Sequence, residues 1–246
     1  MPFVAPSMRE VPLEQNPKAF EFAARLFQPG GEFDMVIFLT GVGARLLNQI
    51  LETRYPPSTF IDALRRVAVV VRGSKPAAVM REWGVPVAIA VPEPNTWREI
   101  LKATEYRPER KIAIQEFGRT SEELLEGLRG RGAQVTTVPV YQWDLPIDLT
   151  PLRAAVHGIA AGEFDVLLLT TSVQVAHLLR VADELGTEQT VRAALRRMVV
   201  ASVGPSTSET LREHGIEPDF EPSHPKMGFL VNEAGARAKQ ILQLKQ

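Results

Sequence analysis

Five short runs in this 246-residue sequence are built from small, hydroxylated and cationic residues. They are Thr40-Gly41-Val42-Gly43, Arg72-Gly73-Ser74-Lys75, Glu116-Phe117-Gly118-Arg119-Thr120, Thr171-Ser172 and Gly204-Pro205-Ser206-Thr207. Each follows an apolar run, and nearly all open a helical pattern. A helix N-terminus offers unpaired N–H groups and a partial positive charge, so it is a place for an anion. Several such ends together suit a ligand with many anionic groups. Taken singly, each Ser or Thr also reads as an ordinary N-cap and each Gly as a turn residue. Tyr141, between "VPV" and "QW", reads in two ways. It is either a half-buried hinge tyrosine with a bonded hydroxyl or a phenol facing a cleft and able to give a proton.

Familiar cofactor motifs do not complete. Gly41-Val42-Gly43 begins like a dinucleotide fingerprint, but Leu46 stands where the third Gly belongs. Gly73-Ser74-Lys75 ends like a phosphate-binding loop, but Ala68 occupies the place of its first Gly. The four histidines, at 157, 177, 214 and 224, form no zinc-type spacing and read as helix-surface or loop residues.

The elements that must hold these runs are written twice. "FDMVIFLTGVGARLL" begins at Phe33 and "FDVLLLTTSVQVAHLL" at Phe164; "VRGSKPAAVMREWGV" and "VGPSTSETLREHGI" align when Gly73 is set on Gly204. Both matches share one offset, 131 residues, a domain-sized period. Within each copy, continuous apolar runs such as "MVIFLT", "VAVVV", "KIAIQ", "VLLLTT" and "MVVASVG" alternate with helical patterns. That alternation predicts parallel sheets buried between helices. The expected fold is α/β: two doubly wound parallel-sheet domains of similar topology joined by a two-stranded linker. The first domain is expected over 11–136 and the second over 145–246, with linkers at 3–10 and 137–144. The second copy runs out where the first continues into "KIAIQ" and its helix. The repeat therefore implies that the chain begins mid-unit, that a strand and helix of the second domain precede Phe3, and that its sheet has an unfilled position.

These residues resemble the uroporphyrinogen-III synthase family. The resemblance rests on "FDMVIFLTGVGARLL", "VPVYQW", "FDVLLLTTSVQVAHLL" and above all "VASVGPSTSETLREHGIEPDFEPSHPKMGFLVNEA", in the family's order over nearly the whole chain. It implies two α/β domains joined by a two-stranded ladder, the N-terminal strand and helix belonging to the C-terminal domain. It implies a lyase that takes hydroxymethylbilane, a linear tetrapyrrole with eight carboxylates. The enzyme closes the ring while inverting the last pyrrole, with no metal or organic cofactor. Carried over by position, Tyr141 is the implied general acid. Thr207 with Ser206 matches a turn that contacts substrate carboxylates, and Thr40 and Ser172 match hydroxyl positions at strand ends. Gly41, Arg72, Gly73, Ser74, Lys75, Thr171, Gly204, Lys226 and Met227 complete the expected substrate-binding set. Lys75 and Pro76 depart from the pattern, since many relatives carry Thr after the opening Gly. Two other readings stay open: a non-catalytic two-domain module binding a multi-anionic small molecule, and a truncated relative that binds without turnover.

Composition sets the bounds. The formal net charge is −1, which gives no global basic field for nucleic acid. Cysteine is absent, which fits a reducing compartment. No apolar run approaches the ~18 residues of a membrane span, and "MPFVAPSMREVPL" lacks the regions of a signal peptide. A cytoplasmic monomer acting on a small molecule is expected, without a nucleic-acid or membrane partner. Strand exchange is open to it if the leading segment is missing.

Overall fold

The structure, a computed structural model, describes residues 2–13, 16–118 and 121–245. The chain divides into two compact units, Glu10–Trp143 and Met1–Arg9 with Asp144–Gln246.

The first unit is a six-stranded sheet in the order β1-β6-β5-β2-β3-β4. Its strands are β1 (Arg9–Pro12), β2 (Met35–Phe38), β3 (Ala68–Val71), β4 (Ile89–Ala90), β5 (Lys111–Phe117) and β6 (Gln134–Asp144). Helices α1 (Pro17–Phe27), α2 (Gly41–Glu52), α3 (Thr59–Leu64), α4 (Ser74–Glu82), α5 (Trp97–Ala103) and α6 (Glu122–Arg129) connect them. The pairs β2·β3, β2·β5, β3·β4 and β5·β6 are parallel. A parallel strand needs a crossover to reach its neighbour, and helices supply it. Because a strand alternates its faces, Val36 and Phe38 enter one core with Phe22, Leu47 and Phe60. Met35 and Ile37 enter the other with Ile100, Leu124 and Leu128. Both faces are covered, so β2 is apolar at every position. The segment expected as a linker at 137–144 is the far part of β6, and it continues the sheet.

The second unit contains β7 (Val166–Leu169) and β8 (Val199–Ser202), paired in parallel. Around them lie α7 (Thr150–Ala161), α8 (Ser172–Glu184), α9 (Glu188–Leu195), α10 (Pro205–Glu213) and α11 (Met227–Lys245). The repeat survives at the level of hydrogen bonding. Met35 faces Ala68 as Val166 faces Val199, 131 positions on. Val70 faces Ile89 as Ala201 faces Phe220, where the second copy keeps a single bridge in place of β4. The amide of Ala88 donates to the Val69 carbonyl at 2.8 Å, and that of Asp219 to the Val200 carbonyl at 2.7 Å. The copies part beyond this point. The helix α5 ends before Pro108, whereas α11 starts at the matching place and runs on for 19 residues through "AGARAKQILQLK", rich in helix formers. Among the described residues β7 therefore pairs only with β8, and three of its four residues are half-buried where those of β2 are fully buried.

Candidate active site

In the first unit, the strand ends deliver their residues to two helix N-termini that touch. Thr40 is extended and caps α2, its Oγ1 accepting the Gly43 N–H at 3.0 Å. A Cβ on Gly41 would lie 3.0 Å from the backbone carbonyl of Lys75, so glycine there lets α2 and α4 approach. Gly73 holds φ +88, a conformation that favours glycine, and turns the chain from β3 into α4. The Gly41-Val42-Gly43 run thus serves close packing. Ser74 and Lys75 are exposed beside it.

Tyr141 reaches this point through an irregularity. The register of β5 against β6 shifts after Glu116, which faces Pro139, so that Phe117 faces Tyr141. Val140 is the extra residue of that bulge. Val140 and Tyr141 are consecutive, yet both enter the same core, which a regular strand forbids. The bulge thereby carries the phenol to Thr40: Tyr141 Oη lies 3.2 Å from Thr40 Oγ1. Phe117 stacks against the Tyr141 ring with centroids 6.2 Å apart, and Trp143 meets it edge-on at 5.4 Å. Tyr141 is 2% exposed. Burial pushes its pKa above the ordinary phenol value and Glu10 adds to this, while the Thr40 hydroxyl and Arg72 oppose it. The phenol is neutral at physiological pH.

Arg72 lies with its guanidinium 4.9 Å from the Phe117 ring centre, and its Nε donates to the Leu39 carbonyl at 3.1 Å. Among the described residues no carboxylate pairs with it. Burial lowers its pKa to about 10, with the nearby Tyr141 opposing. It is a partly buried cation, charged at neutral pH, close to a neutral phenol.

Sequence reading missed Gln115, 1% exposed on β5 next to the buried Glu116. Its Oε1 accepts the Thr40 N–H at 3.2 Å and its Nε2 donates to the Glu116 carbonyl at 2.7 Å. A polar residue inside "KIAIQEF" was the available signal. Trp143 was missed too, and its buried indole N–H has no hydrogen-bond partner among the described residues. Gly118 makes room for that ring, since a Cβ there would fall 2.4 Å from Trp143 Cδ1. Arg119 and Thr120, part of one sequence-predicted run, lie outside the described residues.

The second unit repeats the arrangement with different side chains. Ser172 Oγ donates to the Ser206 carbonyl at 3.0 Å, the same pair of positions at which Gly41 meets Lys75. Gln174 Oε1 accepts the N–H groups of Thr170 and Thr171. Gly204 packs on Pro225, which brings the turn before Lys226 and Met227 beside the start of α10. Lys226 and Met227 are exposed. Thr207, expected to reach a carboxylate, is 3% exposed in the first turn of α10. A β-branched side chain there turns into the packing, and Ser206 lies on the outer side. His177 is buried rather than on a helix surface, and its Nδ1–H donates to the Ser7 carbonyl at 2.7 Å. No group of three or more His, Asp or Glu among the described residues is arranged to hold a metal ion.

Parallel strands that lead into helices, with hydroxyls and cations at the strand ends, place both units in the α/β class. The chain belongs to the uroporphyrinogen-III synthase HemD family, whose model matches residues 1–232. A protein of Methanothermobacter thermautotrophicus named "Putative uroporphyrinogen-III synthase" is 31% identical over 75% of this chain and 71% of its own. YjjA of Bacillus subtilis, described as uncharacterized, is 29% identical over 81% of this chain and 74% of its own. A crystal structure of a mutant uroporphyrinogen III synthase from Thermus thermophilus shares the fold with a TM-score of 0.71. It has 23% identity and covers 98% of this chain and 90% of that one.

Proposed function

We propose that this chain is a uroporphyrinogen-III synthase, a lyase that removes water from hydroxymethylbilane and closes it with inversion of the terminal pyrrole. Family membership supports the activity. The observation that carries the site is the hydroxyl pair Thr40–Tyr141 beside Arg72 at the adjoining starts of α2 and α4. A neutral hydroxyl pair supplies the proton that lets the terminal hydroxyl leave. Arg72, Lys75 and the N–H groups of Gly41 and Ser74 are read as partners for substrate carboxylates in the first unit. Gly73 shapes the turn that presents them. In the second unit Thr171, Ser172, Gly204, Ser206, Lys226 and Met227 take that role, and Thr207 supports the turn from within. Helix N-termini bind carboxylates without a large net charge, which agrees with a chain of formal charge −1. The bilane is flexible, so much of the rate comes from holding it with the substituted carbon in reach.

We further infer a cytoplasmic monomer, in keeping with the absence of cysteine. No helix among the described residues is long and apolar enough to cross a membrane. The test is to incubate the full chain with hydroxymethylbilane and resolve the product isomers. Isomer III in excess over the unaided reaction is expected. Isomer I at the spontaneous rate overturns the reading.

A further inference from the structure

The protons of the Thr40–Tyr141 pair are not interchangeable. Tyr141 is 2% exposed, and a buried phenol has to donate its hydrogen within the protein. Among the described residues, Thr40 Oγ1 is the acceptor it reaches. That oxygen also accepts the Gly43 N–H, so both of its lone pairs are occupied. Thr40 is only half-buried, and its own hydrogen has no acceptor left inside the described protein. Accepting two hydrogen bonds polarises an O–H towards donation. Gln115 holds the Thr40 backbone through its N–H, which fixes where that hydroxyl sits.

Resting on the synthase reading, we propose that Thr40 presents the proton to the leaving hydroxyl of the bilane, while Tyr141 stands behind it and resupplies the proton. The carbon–oxygen bond breaks, and its electron pair leaves with the oxygen. That oxygen takes the Thr40 proton and departs as water. The Tyr141 proton passes to Thr40 Oγ1 in the same event, so threonine is never left as an alkoxide. The phenolate that remains is held near the Arg72 guanidinium, which has no carboxylate partner among the described residues. Ring closure releases one proton from a pyrrole carbon, and its return restores the phenol. Thr40 is thus the catalytic residue, and Tyr141 and Gln115 act through it.

Single and double variants of the full chain test this order, read as kcat and KM for isomer III. Thr40→Val is expected to lower kcat on the order of a hundredfold with KM changed by less than about threefold, the scale for losing one acid. Tyr141→Phe is expected to lower kcat by about tenfold, since water can partly resupply Thr40. The double variant should be no slower than Thr40→Val, because Tyr141 has no path to the substrate of its own. Thr40→Ser should keep most of the rate. Thr40→Asn separates capping from chemistry: it restores an N-cap acceptor and hence the melting temperature, yet should remain as slow as Thr40→Val. The relay is overturned if Tyr141→Phe is the slower single variant, if the two losses multiply, or if Thr40→Asn recovers the rate. A chain that forms no isomer III overturns the synthase reading and the relay together; those three results in an active enzyme overturn the relay alone.

Discussion

Gly43 and Gln115 share a space that admits only one side chain: a Cβ on Gly43 would fall 2.1 Å from Gln115 Nε2. The buried amide lies across the first turn of α2 and holds the Thr40 N–H. Gly43→Ala must therefore push Gln115 out of line and move Thr40 with it. Overpacking of this kind costs about 1–3 kcal/mol. Turnover should fall by more than that instability implies, about tenfold or more at a temperature where the variant is fully folded. Denaturant midpoints and isomer III rates on one preparation check this. Unchanged turnover in a destabilised protein means that Gln115 only fills the core.

Arg72 is a cation held where its own pKa is depressed to about 10. A basic group with a lowered folded pKa weakens the fold while it is charged, and the penalty disappears as pH rises through that value. Arg72→Met should leave the melting temperature at pH 7 unchanged or raise it by about 2–4 °C, the response of a chain this size to one kcal/mol. The same variant should lose kcat/KM by at least about tenfold. A drop in melting temperature at pH 7 would mean that the Leu39 hydrogen bond and the Phe117 contact outweigh the cost of burying the charge.

Lys75 stands exposed at the start of α4, beside Gly41. Lys75→Ala should raise KM by about three- to tenfold with kcat and the isomer ratio nearly unchanged. Added salt should narrow the gap between variant and unaltered chain, because an exposed ionic contact is screened. A shift of product towards isomer I would instead place Lys75 among the groups that choose the attacked carbon.

Asp34 accepts the N–H groups of Arg110 and Lys111 at 3.0 and 2.9 Å where β5 begins. Those backbone bonds, that of Lys111 first, hold its carboxyl below the usual range. A depressed carboxylate contributes stability that is present above the unfolded value near pH 4 and is lost as pH falls through the folded value. Asp34→Asn should therefore be less stable than the unaltered chain at neutral pH. The difference should shrink as pH falls below about 4. Because Asp34 is exposed, the effect is small. Urea midpoints at several pH values check it, and a difference that is constant with pH excludes the carboxylate as its cause.

Much of this protein was legible in one dimension because its apolar patterns are local and repeated. The 131-residue offset already pairs Ala68 with Val199 and Gly73 with Gly204, since both copies must bury the same strand faces and start their helices at the same points. Small and hydroxylated residues after the strands marked the helix starts, because in a parallel sheet each strand end leads into a crossover helix. Other features depended on contacts that sequence spacing does not encode. Thr40 and Tyr141 are 101 positions apart and meet only because β6 takes one extra residue opposite β5. A bulge of that kind is the outcome of packing Val140 and Tyr141 into one core, not of any local propensity. Gln115 appeared as a polar letter after the apolar run of β5, and only the missing Cβ of Gly43 explains how its amide fits. Thr207 and Ser206 are alike as letters, yet helix geometry turns one inward and leaves the other outside. The proton order at Thr40 was decided in part the same way: the bond from Gly43 is a local helix cap, but burial of the phenol is a tertiary fact, and together they leave the outward hydrogen with threonine.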